Sequence, residues 1–460
     1  MKTVDILNYR IEKSLFLLAW PLVLSSAFQT IYNMVDSYFL GKLGPVEFSA
    51  STIVWPVIFV FLSLAMGFSN AGISLISQFY GKRDYKNAKT SAVQLYAVTV
   101  SIGVVSTVVG VILANPIIRA IAGNSQERLI KLAIEYYVID MIGLPFVFIF
   151  NSTTAVARAV GDSKFSMRIM GLMNLINLVF DPLLIFGIGF FPKLGVAGAA
   201  WASNIGRFFA AAYSMYYILK KDHLLRFERN LMRLELKLVK KIIAIGLPNS
   251  LGASLTSAGF AVVMRYVAQF GPAVISAYGI GNRVTNLVNM FSFGIGGAVA
   301  VMVGQFIGAR RYEDAEKTVF TAFLINLAVI GTVCTIVFFF APQITKFFIN
   351  DPQVIDMGRI YFRYISFSIP IFTSYMVYNN ALIGAGKGVL IMIQDILRLW
   401  GIRIPVIAAL SASFGFKGVF VGMIISNLCI FVLSYVFFKF SNWRKGVVDE
   451  KVTYTEKIAR

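Results

Sequence analysis

The stretch 78-QFYGKRDYKNA-88 returns as 305-QFIGARRYEDA-315, 227 residues later, with Gln, Phe, Gly, Arg, Tyr and Ala in matched positions. The same offset relates Pro21 to Pro248 and 44-GP-45 to 271-GP-272. It shrinks to 225 between Gly161 and Gly386. It is 223 between Pro182 and Pro405, between 195-GV-196 and 418-GV-419, and between 203-SN-204 and 426-SN-427. A drift of four residues is what loop insertions and deletions leave after a duplication. Self-similarity on this scale decides the architecture before any single motif does.

What is duplicated is a set of membrane spans. The 460 residues are 58% hydrophobic and 14% charged, with 41 Phe, whereas soluble domains sit near 45–50% apolar and about 25% charged. Runs of about 20 apolar residues predict twelve helices. Their limits are 14–40, 50–76, 91–118, 131–156, 166–190, 195–219, 242–268, 274–302, 319–347, 357–384, 389–411 and 417–439. The expected fold is an all-α polytopic membrane protein: twelve transmembrane helices in two pseudo-twofold-related six-helix lobes. The N-lobe covers 1–219, a basic linker 220–241, the C-lobe 242–439 and a tail 440–460. Both halves begin on the same side, so the repeat is parallel, an arrangement common in secondary transporters with the substrate path at the repeat interface. Some channels and scaffolds share it.

The net charge of +20 reads as topology. With the N-terminus inside, roughly 28 of the 42 Lys and Arg residues fall on the inner side and about seven on the outer. The positive-inside rule therefore places both termini in the cytoplasm, and the basic loops suit anionic lipid rather than nucleic acid. Residues 1–13 lack the apolar core and cleavage site of a signal peptide. Cys334 and Cys429 lie in apolar runs and form no metal or disulfide pattern. The single His223 lies in a basic loop, which leaves no intramembrane His site or Ser–His triad.

Ionisable residues inside membrane spans are candidates for function by default. The first half offers Asp36, Glu135, Asp140, Asp181 and Arg207. Glu135 and Asp140 are placed nearer the outer face, with a solvated or salt-bridged role. The second half offers Arg265, Arg283, Arg359, Arg363, Arg398 and Arg403, with Asp395 as its one acid and a candidate partner for Arg398 or Arg403. Val263 stands at the repeat position of Asp36 and Ile404 at that of Asp181. The halves share a frame but not a chemistry.

Gln29, Asn33 and Asp36 follow an i, i+4, i+7 spacing; Asn174, Asn177 and Asp181 follow i, i+3, i+7. Each set forms one stripe on a helix. Two such edges facing each other would make a polar cavity with carboxylate and amide oxygens, which suit Na⁺ as hard ligands. A carboxyl group withdrawn from water can equally exchange a proton near neutral pH. The competing role is hydrogen-bonding glue between helices, about 0.6–2 kcal/mol per contact. For an Asp that role is weaker, because its insertion at a helix centre costs about 2.5–3.5 kcal/mol. Pro21 precedes Asp36 in span 1 and invites a kink, a candidate hinge.

The segments "P…QTIYNMVDSYFLGKLGP", "AIEYY", "NSTTAVARAVGDSK", "NLVFDPLLIFGIG" and "LGVAGAAWASN", with the looser "GLPNSL" and "GIGNRV", resemble the MATE (multidrug and toxic compound extrusion) transporters. The likeness is closest to their prokaryotic DinF-like branch, within the MOP superfamily, and it runs through both lobes. It implies a V-shaped antiporter of the prokaryotic inner membrane. Such proteins act as monomers, use no cofactor and export small amphipathic, often cationic compounds in exchange for H⁺ or Na⁺. The implied cation site comprises Asp36, Asn177, Asp181 and Ser203, with Na⁺ as one occupant at Asp36, Asp181 and Asn177. Tyr136, Gln29, Asn151 and Thr154 match cavity-lining positions, to which the stripes add Asn33 and Asn174. Ser203 stands where the family often has Thr. Span 7 lacks the acid of the NorM-like branch.

Two other functions share some of these features. A lipid-linked oligosaccharide flippase of the same superfamily would want a basic central cavity. An intramembrane aspartyl protease would also use two aspartates, but its GxGD signature is absent, and duplicated halves do not suit it.

Overall fold

The computed structural model describes residues 3–123, 126–220 and 233–448. Residues 221–232 of the expected linker and 449–460 of the tail lie outside the described residues.

The described residues are helical, joined by short turns and loops. The first lobe runs α1 (Ile11–Leu43), α2 (Pro45–Gly81), α3 (Tyr85–Ile112), α4 (Ala114–Ala122), α5 (Glu127–Ile142), α6 (Leu144–Ala159), α7 (Ser163–Phe186) and α8 (Val196–Lys220). The second runs α9 (Leu236–Ala268), α10 (Pro272–Gly308), α11 (Tyr312–Phe339), α12 (Ala341–Phe348) and α13 (Pro352–Gly384). It ends with α14 (Gly388–Ile396), a π-helical turn (Leu397–Arg403), α15 (Ile404–Phe414) and α16 (Phe416–Phe440). Counting α5–α6 and α14–α15 each as one crossing gives twelve. Among the described residues, eight single helices are long and apolar enough to span on their own, and the α5–α6 pair makes a ninth. The other three are α8, diluted by Ser203, Asn204 and Arg207, α13, which carries Asp356, Arg359 and Arg363, and the interrupted α14–α15.

The structure corrects several limits. Expected spans 3 and 9 stop at Ile112 and Phe339, and the short helices α4 and α12 follow them as separate elements. Span 4 is two helices bent by 44° at Gly143, where Pro145 stands in the first turn of α6. Its counterpart α13 carries Pro370 without a break. Span 11 is interrupted by the π turn. Pro21 does not break α1, which is continuous through it.

The duplication is visible in atomic detail. α1 and α9 have 33 residues each, α2 and α10 have 37, and α3 and α11 have 28. Arg83 and Arg310, repeat equivalents in the two basic loops, share a left-handed backbone at φ 61° and 60°. Gln78 donates to the Gly384 carbonyl across the lobe boundary at 2.9 Å, and Gln305 donates to the Ala159 carbonyl at 2.8 Å. These bonds are two copies of one contact.

That boundary lies at the end of the molecule carrying the basic loops. There Gly67 abuts Gly246 and Ser250, Gly81 abuts Gln305, Gly304 abuts Ser77 and Gly308 abuts Gln78. Ser63 Oγ meets Ser254 Oγ at 2.6 Å. Small residues let the backbones approach closely, as van der Waals packing between membrane helices requires. Residues 441–448 close the same end, with Trp443 buried against Phe438 at 4.7 Å between ring centroids. The Val447 amide donates to Gln78 Oε1 at 2.8 Å, and Lys241 Nζ donates to the Val447 carbonyl at 2.6 Å. At the opposite end the residues facing away from each lobe's core, such as Gln29, Asn33 and Tyr38, are exposed.

Gln78 therefore bridges the two lobes and the tail from a fully buried position. Gln78→Leu leaves two buried backbone groups unpaired, at about 1–3 kcal/mol each. The thermal midpoint of the purified protein in detergent is expected to fall. Gln78→Glu, which keeps the acceptor and loses the donor, should fall by less. Equal midpoints for Gln78→Leu and wild type would show that this seam does not hold the lobes.

Candidate functional site

The N-lobe holds a polar cluster between α1, α5, α7 and α8. Asp181 is fully buried, and its Oδ1 accepts from Asn177 Nδ2 at 3.0 Å, one helical turn away. Asn177 Nδ2 also lies 3.5 Å from Ser203 Oγ on α8, and Ser203 Oγ meets the Tyr32 hydroxyl of α1 at 2.6 Å. Tyr32 precedes Asp36 by four residues and shares its face. Asp36 is half-buried on α1, which the Tyr32–Ser203–Asn177 contacts tie to α7 and Asp181. Asp36 Oδ1 and Asp181 Oδ2 are both buried with no hydrogen-bond partner. By helical rise the two acids sit about 8–10 Å from the helix ends that face away from the basic loops.

Deeper in the same lobe, Asp140 Oδ1 pairs with Arg207 Nη1 at 2.8 Å. Arg207 also donates to the Asp140 carbonyl at 3.3 Å and to Asn204 Oδ1 at 3.1 Å. Asn204 in turn donates to the Ile139 carbonyl. Asp140 is 2% exposed. It is therefore a buried ion-pair member mid-span, not an outer-face residue, because α5 enters from the far end and carries it about 20 Å inward. Glu135, one turn nearer the start of α5, is exposed. The Asp140–Arg207 pair is within electrostatic reach of Asp36 and Tyr136.

The remaining candidates divide. Tyr136 is buried beside Asp36 and Tyr32. Gln29 donates to Asn33 Oδ1 at 3.3 Å on an exposed face, so these two pair with each other rather than with the acids. Asn174 donates to the Phe28 carbonyl and ties α7 to α1 as interhelical glue. Asn151 donates to the Val147 carbonyl of its own helix at 3.0 Å. Thr154 Oγ1 is buried and unpartnered. Tyr32 and the Asp140–Arg207 pair are the members that sequence reasoning did not assign. Tyr32 could have been found by its i−4 spacing from Asp36, but the partner of Asp140 lies 67 residues away and has no local signal.

In the C-lobe, Asp395 does not pair with Arg398 or Arg403. Its Oδ1 accepts from the Tyr375 hydroxyl at 3.0 Å. Among the described residues, no cluster of three or more His, Cys, Asp or Glu could hold a metal ion.

Ser203 links α1, α7 and α8, so Ser203→Ala is expected to cost about 1 kcal/mol, the net worth of one hydrogen bond. A lower thermal midpoint would register it, and Ser203→Thr, which keeps the hydroxyl, should behave as wild type. A Thr variant as unstable as the Ala variant would show that shape, not the hydrogen bond, sets the cost.

Comparison with known proteins agrees with this architecture. The chain is 27% identical over 445 residues to the probable multidrug resistance protein YoeA of Bacillus subtilis, covering 95% of both chains. It is 26% identical over 442 residues to the multidrug export protein MepA of Staphylococcus haemolyticus, covering 94% of both. A solved outward-facing structure of a multidrug resistance MATE family transporter of the MOP superfamily superposes with a TM-score of 0.89. It shows 23% sequence identity and covers 95% of this chain and 98% of that one. The MatE family model matches twice, at residues 21–183 and again at 248–408, once in each half of the duplication. Those two matches take in most of the sequence, and the chain is a membrane transporter of the MatE family.

Proposed function

We propose that this protein exports small amphipathic, often cationic organic compounds across the prokaryotic inner membrane. It does so as a monomer, by alternating access, in exchange for H⁺ or Na⁺ taken up at Asp36 and Asp181. The observation that carries this reading is the pair itself. Two carboxyl groups stand on helices tied together through Tyr32, Ser203 and Asn177, and each keeps one buried oxygen without a partner. The names of the relatives, multidrug resistance and multidrug export proteins, support the substrate class. The basic loops support a cytoplasmic placement of the joined ends and of both termini, by the positive-inside rule.

With the cleft open outward, H⁺ or Na⁺ neutralises the repulsion between Asp36 and Asp181. Ser203 supplies the adjacent hydroxyl oxygen, Asn177 donates its amide to the Asp181 carboxyl group, and Tyr32 links Ser203 to α1. Repacking of α1 against α7 and α8 then disfavours the substrate-binding form. The ion shifts the equilibrium only by its difference in affinity between the two states. The acids must therefore be better solvated in one of them.

The test is efflux of ethidium from proteoliposomes under an imposed pH or Na⁺ gradient, comparing wild type with Asp36→Asn. Gradient-driven efflux is expected in the first and absent in the second. An Asp36→Asn protein that still couples efflux to the gradient would refute the assignment.

A further inference from the structure

The C-lobe contains a cavity of about 130 Å³ whose charge is opposite to that of the N-lobe acidic cluster. Arg398 and Arg403 line it and are 4% and 5% exposed. Both sit on the π-helical turn, a local irregularity that often marks functional sites. Arg403 is held in place by neutral groups: its Nε donates to Ser426 Oγ at 2.8 Å and its Nη2 to Asn427 Oδ1 at 2.5 Å. Asn427 is itself fixed by donating to Ser368 Oγ at 2.8 Å. Arg398 lies over the rings of Phe372 at 5.1 Å, Tyr375 at 5.8 Å and Phe260 at 5.9 Å, yet its Nε is buried with no hydrogen-bond partner. The one acid nearby, Asp395, is engaged by Tyr375 and forms no ion pair with either arginine. Among the described residues, two buried cations thus share one nearby carboxyl group, within charge range of Arg398 but in direct ion contact with neither, so at least one positive charge is left without a counter-charge.

An uncompensated charge inside a membrane protein is costly and normally finds a partner. Cation–π contacts and neutral hydrogen bonds relieve part of that cost, but they leave guanidinium donors facing the cavity. The duplication sharpens the contrast. Ser203 of the N-lobe sits beside the Asn177–Asp181 pair, whereas its repeat equivalent, Ser426, accepts from Arg403. Where Asp36 and Asp181 stand in the first lobe, Val263 and Ile404 stand in the second.

We propose that the C-lobe cavity is an anion site that takes the phosphate or carboxylate group of an aromatic organic compound. Its size suits that reading. About 130 Å³ is close to the volume that accommodates a benzene ring in an apolar protein cavity, too small for a whole drug or a lipid-linked sugar chain. Exposed Asn282 and Asn286 and half-exposed Phe260 line its rim, while the arginines form its floor. An anionic head would reach the guanidinium groups, its ring would meet Phe260 and Phe372, and the rest of the molecule would remain in the cleft. The site does not depend on ion coupling by the N-lobe acids. Its consequence is that compounds with a negative group, including zwitterions spanning both lobes, are accepted alongside cations.

Binding of phenyl phosphate to the full-length protein in nonionic detergent, measured calorimetrically, tests this, with benzylammonium as the cation of similar size. Phenyl phosphate should bind in preference to benzylammonium. Its affinity should drop roughly tenfold to a hundredfold in Arg398→Gln, the worth of a charge-assisted hydrogen bond, and less in Arg398→Lys. Asn286→Asp places a negative charge at the exposed rim without disturbing the core, and should also weaken binding. The readout is binding rather than gradient-driven efflux, so a failed coupling mechanism leaves this result standing. Titrations in nanodiscs with and without phosphatidic acid separate the sources. Competition by that lipid supports the site with a headgroup phosphate as occupant, and its absence supports it with a soluble anion. Equal affinity for benzylammonium, or undiminished binding in both Arg398→Gln and Asn286→Asp, would overturn the proposal.

Discussion

Asp181→Asn is expected to eliminate gradient-driven efflux while leaving the protein folded and able to bind substrate. Asp181 is fully buried, and Asn keeps its shape and its hydrogen bond to Asn177 through a flipped amide, so little packing is lost. What disappears is the group whose charge the ion would cancel in the proposed mechanism. Driving a two-state transporter from about 1:99 to 99:1 needs roughly 5.5 kcal/mol of differential ion affinity. An Asn that neither ionises nor carries charge cannot supply it. Because the proposed mechanism has one ion serve both acids, Asp36 and Asp181 should behave as one unit. Asp36→Asn, Asp181→Asn and the double variant should then all show about the same loss, as groups acting together do. Efflux rates in proteoliposomes at matched and imposed gradients provide the measurement. A double variant markedly worse than either single would mean two independent ion sites. A coupled single variant would mean the ion binds elsewhere.

The legibility of this chain in its sequence has a physical pattern. The twelve crossings and the duplication were readable because both are long-range regularities of composition, and lipid enforces them on every residue of a span. The interruptions were not. Gly143 bends one crossing, whereas Gly331, also within a span, leaves α11 unbroken, and only the surroundings tell the two apart. The π turn at 397–403 leaves no mark on hydropathy. Within the site, Asp36, Asn177 and Asp181 were marked out because a carboxylate or amide in an apolar run is anomalous on its own. Tyr32 was overlooked because a tyrosine in a membrane helix is ordinary. Its role appears only when Ser203, 171 residues away, comes within hydrogen-bonding distance. The depth of Asp140 is illegible for a related reason: an apolar run does not fix where its crossing begins, and burial of this carboxylate depends on Arg207, 67 residues away, facing it. The basic C-lobe cavity had a legible half, the unusual Arg398 and Arg403, and an illegible half, the engagement of the nearby Asp395 by the Tyr375 hydroxyl rather than by an arginine.

The second large effect concerns the seam that joins the lobes. A Cβ added at Gly308 would overlap the backbone carbonyl of Gln78, and one at its repeat mate Gly81 would overlap that of Gln305. Both obstacles are main chain, which cannot rotate away, so Gly81→Val or Gly308→Val must push the lobes apart at this end. Overpacking of this kind costs about 1–3 kcal/mol, and it falls only on the state in which the basic ends meet. In an alternating-access protein the population should therefore move roughly tenfold to a hundredfold toward the state that opens there. Spin labels at Lys82 and Glu313, placed after replacement of exposed Cys429, would report it. The short distance expected for wild type should give way to a longer one, with slower efflux because the return to the outward-open state is penalised. Gly331→Val is the control, since nothing lies within 4 Å of a Cβ at that position. Were Gly308→Val to keep the wild-type distance and full transport, the seam would have to be present in both states, and opening would have to occur by bending within a lobe rather than by rocking of one lobe against the other.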